Sequence, residues 1–221
     1  MADIETLTSM PDTATHRKTD ERVFAAASSK VKVAIISPTY VYGLGPSRVH
    51  PTPITLPNIL KVIRKLSSGF TISAGKNLQS WIHVSDQARV YLLLLNYALG
   101  VKEVEPGEED EIWGPQAYYF GASEEIAFAD FMTSLVPIAK QKGLVQTEDI
   151  KQLNIQEAAE ICAAEDEAPA PDSWSMHIAI GFGVDMRSRS SRAKRFGWQP
   201  KEPPVGETLE KVISKFLEHE K

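Results

Sequence analysis

The chain has 221 residues, 43% of them hydrophobic and 24% charged, a formal net charge of -5 and a single cysteine, Cys162. That composition excludes collagen-like and strongly disordered classes, and one thiol allows neither an intrachain disulfide nor a cysteine-based metal site. An acidic balance without a Lys/Arg stripe argues against nucleic-acid binding, and the longest apolar run, Val90 to Leu99, is broken by Asn96 and too short for a bilayer. The amino terminus lacks the apolar core of a signal peptide, so a reducing, cytoplasmic setting with no membrane partner is the expectation.

Residues 1–15, rich in Thr, Ser, Asp and Pro, predict a flexible amino terminus. Thr19 to Ser29 predicts a helix with acidic residues in its first turn and Val23, Phe24, Ala26 and Ala27 on one face. It leads into Val31 to Ile36, a nearly continuous apolar run that predicts a strand buried on both faces. Pro38, Gly43, Gly45 and Pro46 stop that strand and release a loop at its carboxyl end, where open α/β sheets place their ligands. A helix before a buried strand is half of an α/β unit, and no strand precedes this helix to complete it.

Leu56 to Leu66 has helical spacing and ends at Gly69, and Phe70 to Ser73 alternates as a short strand. After a polar loop come Trp81, Ile82, His83 and Val84; Ser85 is a suitable N-cap for a helix that ends at Gly100. Its apolar residues run almost all the way round, which predicts burial. Residues 102–111 predict a solvated acidic loop and Ala117 to Phe120 a strand. Ser123 is placed to cap Glu124 and Glu125 ahead of a helix carrying Phe128, Phe131, Met132 and Leu135, kinked at Pro137 and closed at Gly143. Residues 147–164 predict one or two short helices, and 165–173 a surface loop. The basic run Arg187 to Arg195 is either a solvated helix face or a site for a ligand phosphate. Pro204 opens a last helix whose Leu209, Val212, Ile213, Phe216 and Leu217 form a core-facing stripe.

Taken together, Pro38, Val41, Tyr42 and Gly43, then His83, Val84 and Asp86, then Gly197, Trp198 and Pro200 follow the order of a family pattern. The chain resembles the carboxyl-terminal half of the extended short-chain dehydrogenase/reductases, the NAD-dependent epimerase/dehydratase-like family, in an atypical fungal-type form. The resemblance covers residues 16–221. It implies an α/β fold: an incomplete Rossmann-type domain, the carboxyl-terminal half, with a small helix-rich substrate-binding subdomain. It also implies NAD or NADP as cofactor and a small-molecule substrate.

Ser37 stands where the family has Arg, and Phe196 where it has Leu. The Gly-rich phosphate loop has no counterpart; Gly181-Phe-Gly183, after the strand-like His177 to Ile180, lacks the third glycine. The Tyr-x-x-x-Lys pair expected on the helix before Val31 is missing, leaving His16 as a candidate acid or base beside Arg17 and Asp20. Pro38, Thr39, Tyr40 and Val41 would contact a cofactor if its other half were supplied, and Lys76, Asn77, His83 and Arg187 are candidates for substrate contact. His83 and Asp86 also suit a capping arrangement at a helix start. No metal-ligand spacing is present.

The chain therefore reads as a truncated or divergent NAD(P)-dependent oxidoreductase/epimerase-like protein that binds neither nucleotide alone. The alternative is a non-catalytic binding or regulatory module derived from such an enzyme. The apolar strand at Val31, with only the Phe70 and Tyr118 candidates to pair with, predicts association through an exposed strand edge.

Overall fold

The computed structural model describes residues 4–105, 107–163 and 168–219. In chain order the elements are α1 (Ile4–Thr8), α2 (Arg17–Ala25), β1 (Ile35–Pro38), β2 (Tyr40–Tyr42), α3 (Thr55–Leu66), β3 (Gly69–Ile72), β4 (Leu78–His83) and α4 (Val84–Ala98). There follow α5 (Glu109–Ile112), β5 (Tyr118–Gly121), β6 (Glu124–Ala127), α6 (Phe128–Gln141), β7 (Ile150–Leu153), α7 (Ile155–Cys162), α8 (Trp174–Gly183), α9 (Ser191–Arg195) and α10 (Val205–His219). The described chain is an α/β protein divided into two compact units.

The first unit comprises the chain up to Pro38, Asp86–Gly121 and Arg189–Lys201. Its sheet is the parallel pair β1 and β5, with Ile35 opposite Tyr118 and Pro38 opposite Gly121. Phe24 of α2 meets the Tyr118 ring edge-on at 5.0 Å, and α4 buries Val90, Leu93 and Leu94. Asp86 anchors the unit: its carboxylate pairs with Arg89 and accepts the Lys201 N–H at 2.9 Å, while its carbonyl accepts the Trp198 indole N–H at 3.0 Å. The Asp of the His-Val-x-Asp pattern thus fastens the Gly-Trp-x-Pro segment.

The second unit, Thr39–Ser85, Ala122–Ser188 and the chain from Glu202, has the sheet β2-β4-β6 and the pair β3-β7. β2 runs parallel to β4 with Tyr42 opposite His83, and β6 runs antiparallel to β4 with Ala127 opposite Leu78. Helical spacing turns one face each of α3, α6 and α10 inward, so that Ile59 and Ile63, Phe131 and Leu135, and Leu209 and Ile213 meet in one apolar core. Trp81 stacks on Phe131 at 4.8 Å in its middle.

Several expectations are corrected. Residues 4–8 of the predicted flexible terminus form α1, and the Thr19 helix begins and ends earlier, at Arg17 and Ala25. The strand predicted from Val31 begins at Ile35; Val31 is exposed, and β1 is at best half-buried because, among the described residues, only β5 flanks it. α3 is closed by Ser67 in the left-handed region, and Gly69 already belongs to β3. α4 starts at Val84, so Ser85 is inside it, and α4 is not buried all round: Tyr91, Leu92 and Leu95 are exposed.

The acidic segment 102–111 ends within α5, whose last residue, Ile112, lies just past the segment and is fully buried, while Arg195 of the basic run bonds to Glu108 and Glu111. Arg187 and Arg189 lie outside that short helix. Glu124 and Glu125 are in a strand, because the edge of β4 offers a backbone ladder that outweighs their capping pattern. Likewise 150–153 is not helical but pairs with the edge of β3. His177 to Ile180, which look strand-like, lie in α8, capped by Ser173 accepting the Met176 N–H at 3.2 Å. Of the surface loop at 165–173, residues 165–167 lie outside the described residues.

Candidate functional site

The turn after β2 is built around one close approach. Gly43 has φ 82°, and a Cβ there would lie 2.0 Å from the His83 Nε2 atom. Only glycine therefore lets the chain pass over the imidazole. His83 is buried, its ring meets Tyr42 edge-on at 5.3 Å, and its Nδ1 accepts the Ser85 N–H at 3.1 Å. A ring nitrogen that accepts a backbone N–H is unprotonated, so His83 acts as the N-cap of α4 in place of the predicted Ser85. The Tyr42 hydroxyl donates to the Pro203 carbonyl at 2.8 Å, and Glu124 accepts the Val205 N–H at 2.7 Å, which fixes the start of α10. Burial raises the Glu124 pKa above the ordinary carboxylate value, against the lowering pull of the Val205 and Tyr42 hydrogen bonds.

Next to this turn, Tyr40 donates its hydroxyl to the Gly181 carbonyl, and Gln79 donates to the same carbonyl at 3.0 Å. Burial pushes the Tyr40 phenol well above its usual value, so it holds its proton and binds α8 instead of exchanging a proton. Asn77 donates to the Phe182 and Val184 carbonyls at 3.0 and 3.2 Å, closing the carboxyl end of α8. Gly181 and Gly183 are helical, and their reason is packing: a Cβ would meet the Tyr40 hydroxyl at 3.0 Å and the Ile72 side chain at 2.7 Å respectively.

Two cavities lie along α3 and share Asn58 and Ile178 in their walls. One, about 160 Å³, is bounded by Tyr40, Thr55, Trp174 and His177. The other, about 280 Å³, is bounded by Lys61, Lys65 and Cys162. Trp174 is 66% exposed and offers an aromatic face at the start of α8. One turn later the His177 Nδ1 lies 2.8 Å from the Ser173 carbonyl; a carbonyl can only accept, so Nδ1 carries the proton and a neutral ring keeps Nε2 as an acceptor. Lys65 donates to the Ile161 and Ala163 carbonyls, leaving Lys61 as the cation on the rim without a partner among the described residues. Burial pushes the Cys162 thiol up to about 11 despite Lys65, so it is a packing group and not a thiolate nucleophile. This groove can stack a ring on Trp174, hydrogen-bond it through Asn58 and His177, and attract negative charge at Lys61. It was missed in the sequence because α8 read as a strand; the Ser173-Trp174 helix start is the signal that could have found it.

His16 is exposed at the start of α2 with φ 67° and no side-chain capping bond. Its neighbours bond elsewhere, Arg17 to the Thr8 carbonyl and Glu21, and Asp20 to the Tyr118 hydroxyl. Lys76 is exposed, and Arg187 forms a two-pronged pair with Glu125 at 2.9 and 3.0 Å. Pro38 ends β1, exposed, while Thr39 is buried and Val41 half-buried. Among the described residues no group of three or more His, Cys, Asp or Glu side chains could hold a metal ion, and no helix is long and apolar enough to cross a membrane.

A dinucleotide needs a glycine cradle for its pyrophosphate at a helix start. Here the space a Gly43 side chain would take is filled by the His83 ring, and Gly181 and Gly183 sit inside a helix against protein atoms. The described residues do not fit that group by themselves.

The class that this architecture defines is an incomplete Rossmann-type α/β domain with a helix-rich subdomain. No family model matches the sequence. Among curated proteins it is similar to oxidase ucsJ of an Acremonium species, 23% identical over 191 residues, which is 86% of this chain and 51% of that protein. The chain thus spans about half the length of the curated relative it matches. Among solved structures it is similar to TunA, an NAD-dependent NDP-hexosamine 5,6-dehydratase involved in tunicamycin biosynthesis, with TM-score 0.52 and 11% identity, over 90% of this chain and 51% of that one. The UDP-glucose 4-epimerase of Thermotoga maritima, solved with UDP-glucose, gives 0.51 and 12% over 92% and 52%. The human epimerase family protein SDR39U1 (isoform 2), solved with NADPH, gives 0.51 and 16% over 85% and 50%. The chain has the fold of NAD(P)-dependent epimerase/dehydratase-type enzymes, at about half their length.

Proposed function

We propose that this chain is the substrate-binding half of an NAD(P)-dependent oxidoreductase or epimerase-like protein acting on a small molecule in a cytoplasmic setting. The observation that carries this reading is the groove along α3, which combines the exposed Trp174 ring, Asn58 and His177 on a unit with its own complete apolar core. Cofactor chemistry belongs to residues that the chain as given does not provide, and no catalytic step is assigned to His16. A second reading, a non-catalytic binding module, is favoured by the Tyr40 phenol being committed to Gly181 and by the filled cradle at Gly43. Both readings require the groove to bind a ligand. A fragment library screened by ligand-observed NMR is expected to give hits that Trp174→Ala abolishes; no hit sensitive to that change overturns both. Calorimetric titration of the chain with NAD and NADP separates out the cofactor, with no binding expected and low-micromolar affinity contradicting the reading.

A further inference from the structure

We propose that the groove along α3 selects a singly charged organic anion, a carboxylate on a planar apolar body, with the body against Trp174 and the carboxylate at Lys61. This rests on the groove being the substrate site and names the class of molecule it takes. The chain is acidic, with 29 Asp and Glu against 24 Lys and Arg. The walls of the two cavities nevertheless carry Lys61, Arg64 and Lys65 and, among the described residues, neither Asp nor Glu. The local sequence explains the placement. α3 buries Leu56, Ile59, Leu60 and Ile63, so Asn58, Lys61 and Lys65, spaced i, i+3, i+7, share the side turned away from the core. At about 1.5 Å of rise per residue, Lys61 lies about 9 Å along the helix from Thr55, which borders the smaller cavity.

The charge of the ligand follows from which of the three cations is committed. Lys65 donates to the Ile161 and Ala163 carbonyls at 2.8 and 3.2 Å, where the negative end of the α7 dipole holds it. Arg64 lies over the Phe216 ring at 5.0 Å and is not free. Lys61 is exposed and has no partner among the described residues. One free ammonium balances one negative charge. A phosphate monoester brings about -2 at neutral pH, and a nucleoside diphosphate brings at least as much, so either would leave charge unpaired in the groove, which costs binding energy.

The other end of the groove sets the body of the ligand. Its wall includes Trp174, Ile54, Ile178 and Phe182, and the Tyr40 hydroxyl is spent on the Gly181 carbonyl, so that ring offers apolar surface alone. An exposed indole is a stacking platform for a flat ring. Asn58 belongs to both walls and its amide has no partner among the described residues, which places one donor and one acceptor between the apolar end and the cation. Apolar surface, a single amide and a single free cation, in that order along one helix, match an amphipathic carboxylate.

The test is to titrate the full chain with matched probes by ligand-observed NMR: naphthylacetate, its neutral amide naphthylacetamide, naphthyl phosphate and UDP. Naphthylacetate is expected to bind about fivefold more tightly than the amide, the range of a partly exposed ion pair, and more tightly than naphthyl phosphate or UDP. Lys61→Ala should bring the acid down to the affinity of the amide and leave the amide unchanged, while Lys61→Arg should keep the preference. Trp174→Ala should weaken acid and amide alike. Equal binding of acid and amide, with both sensitive to Trp174→Ala, overturns the charge assignment and leaves the proposed function standing. Tighter binding of naphthyl phosphate or UDP overturns the ligand class in the same way. A preference that survives Lys61→Ala, or loss of the amide with that change, overturns the role of Lys61. Binding of no probe in a manner sensitive to Trp174→Ala overturns the inference together with the groove on which it rests.

Discussion

The two units arrange their apolar residues differently. The continuous hydrophobic core lies wholly in the second unit, where α3, α6 and α10 close over β3 and β4. The first unit buries Val90, Leu93, Ile112, Tyr119 and Trp198, yet leaves Val31, Tyr91, Leu92, Leu95 and Leu99 in solvent. The difference is one of continuity: the second unit gathers its buried side chains into one cluster, and the first sets four large apolar residues in solvent along α4 and its end. Strand pairing runs parallel to it: β4 has a strand on each side, whereas among the described residues β1 pairs with β5 alone.

The largest expected effect is in the core. Phe131→Ala removes the ring stacked on Trp81 and should cost about 3–5 kcal/mol, read as a lowered urea midpoint. Leu95→Ala in α4 should stay within about 0.5 kcal/mol, because its side chain is already half exposed. Equal costs for the two would erase the contrast between the units.

A smaller effect is expected at the β2 turn. Gly43→Ala meets a left-handed backbone penalty of about 1–2 kcal/mol and, in addition, the His83 ring. His83→Ala in the same chain should recover the second part, so a double-mutant cycle should show positive coupling between the two positions. Strict additivity would mean that the ring moves aside without cost.

The smallest effect carries a sign. Glu124 has a folded-state pKa raised above its unfolded value, so the folded protein binds more protons between the two values and stability falls as pH rises through that window. Glu124→Gln keeps an acceptor for the Val205 N–H and should raise the melting temperature at pH 7 but not at pH 3. A loss of stability at pH 7 would show that the charge at the start of α10 matters more than its desolvation.

Helices with one clean apolar stripe were legible in the sequence: α3, the body of α6 and α10 lie within one to four residues of their expected limits, because periodic side chains and their burial agree. Short segments were not. Residues 150–153 carry the composition of a helix and became a strand because β3 had an open edge to pair with. α8, rich in apolar residues, has no periodic signal to separate it from a strand, and with it went Trp174 and His177 of the groove. The motifs carried a second kind of information: Gly43, His83, Asp86 and Trp198 mark the family-like fold, and the structure shows them holding turns and caps together.

By itself the sequence determined the α/β class, the order of the long helices and the lack of a phosphate loop in the chain as given, since these depend on residue type and local period. Which strands pair, which face of α4 is covered and where a groove opens were decided only by the tertiary structure. Those outcomes follow from backbone edges and apolar faces finding partners distant in the chain, and a local pattern carries no record of whether a partner exists.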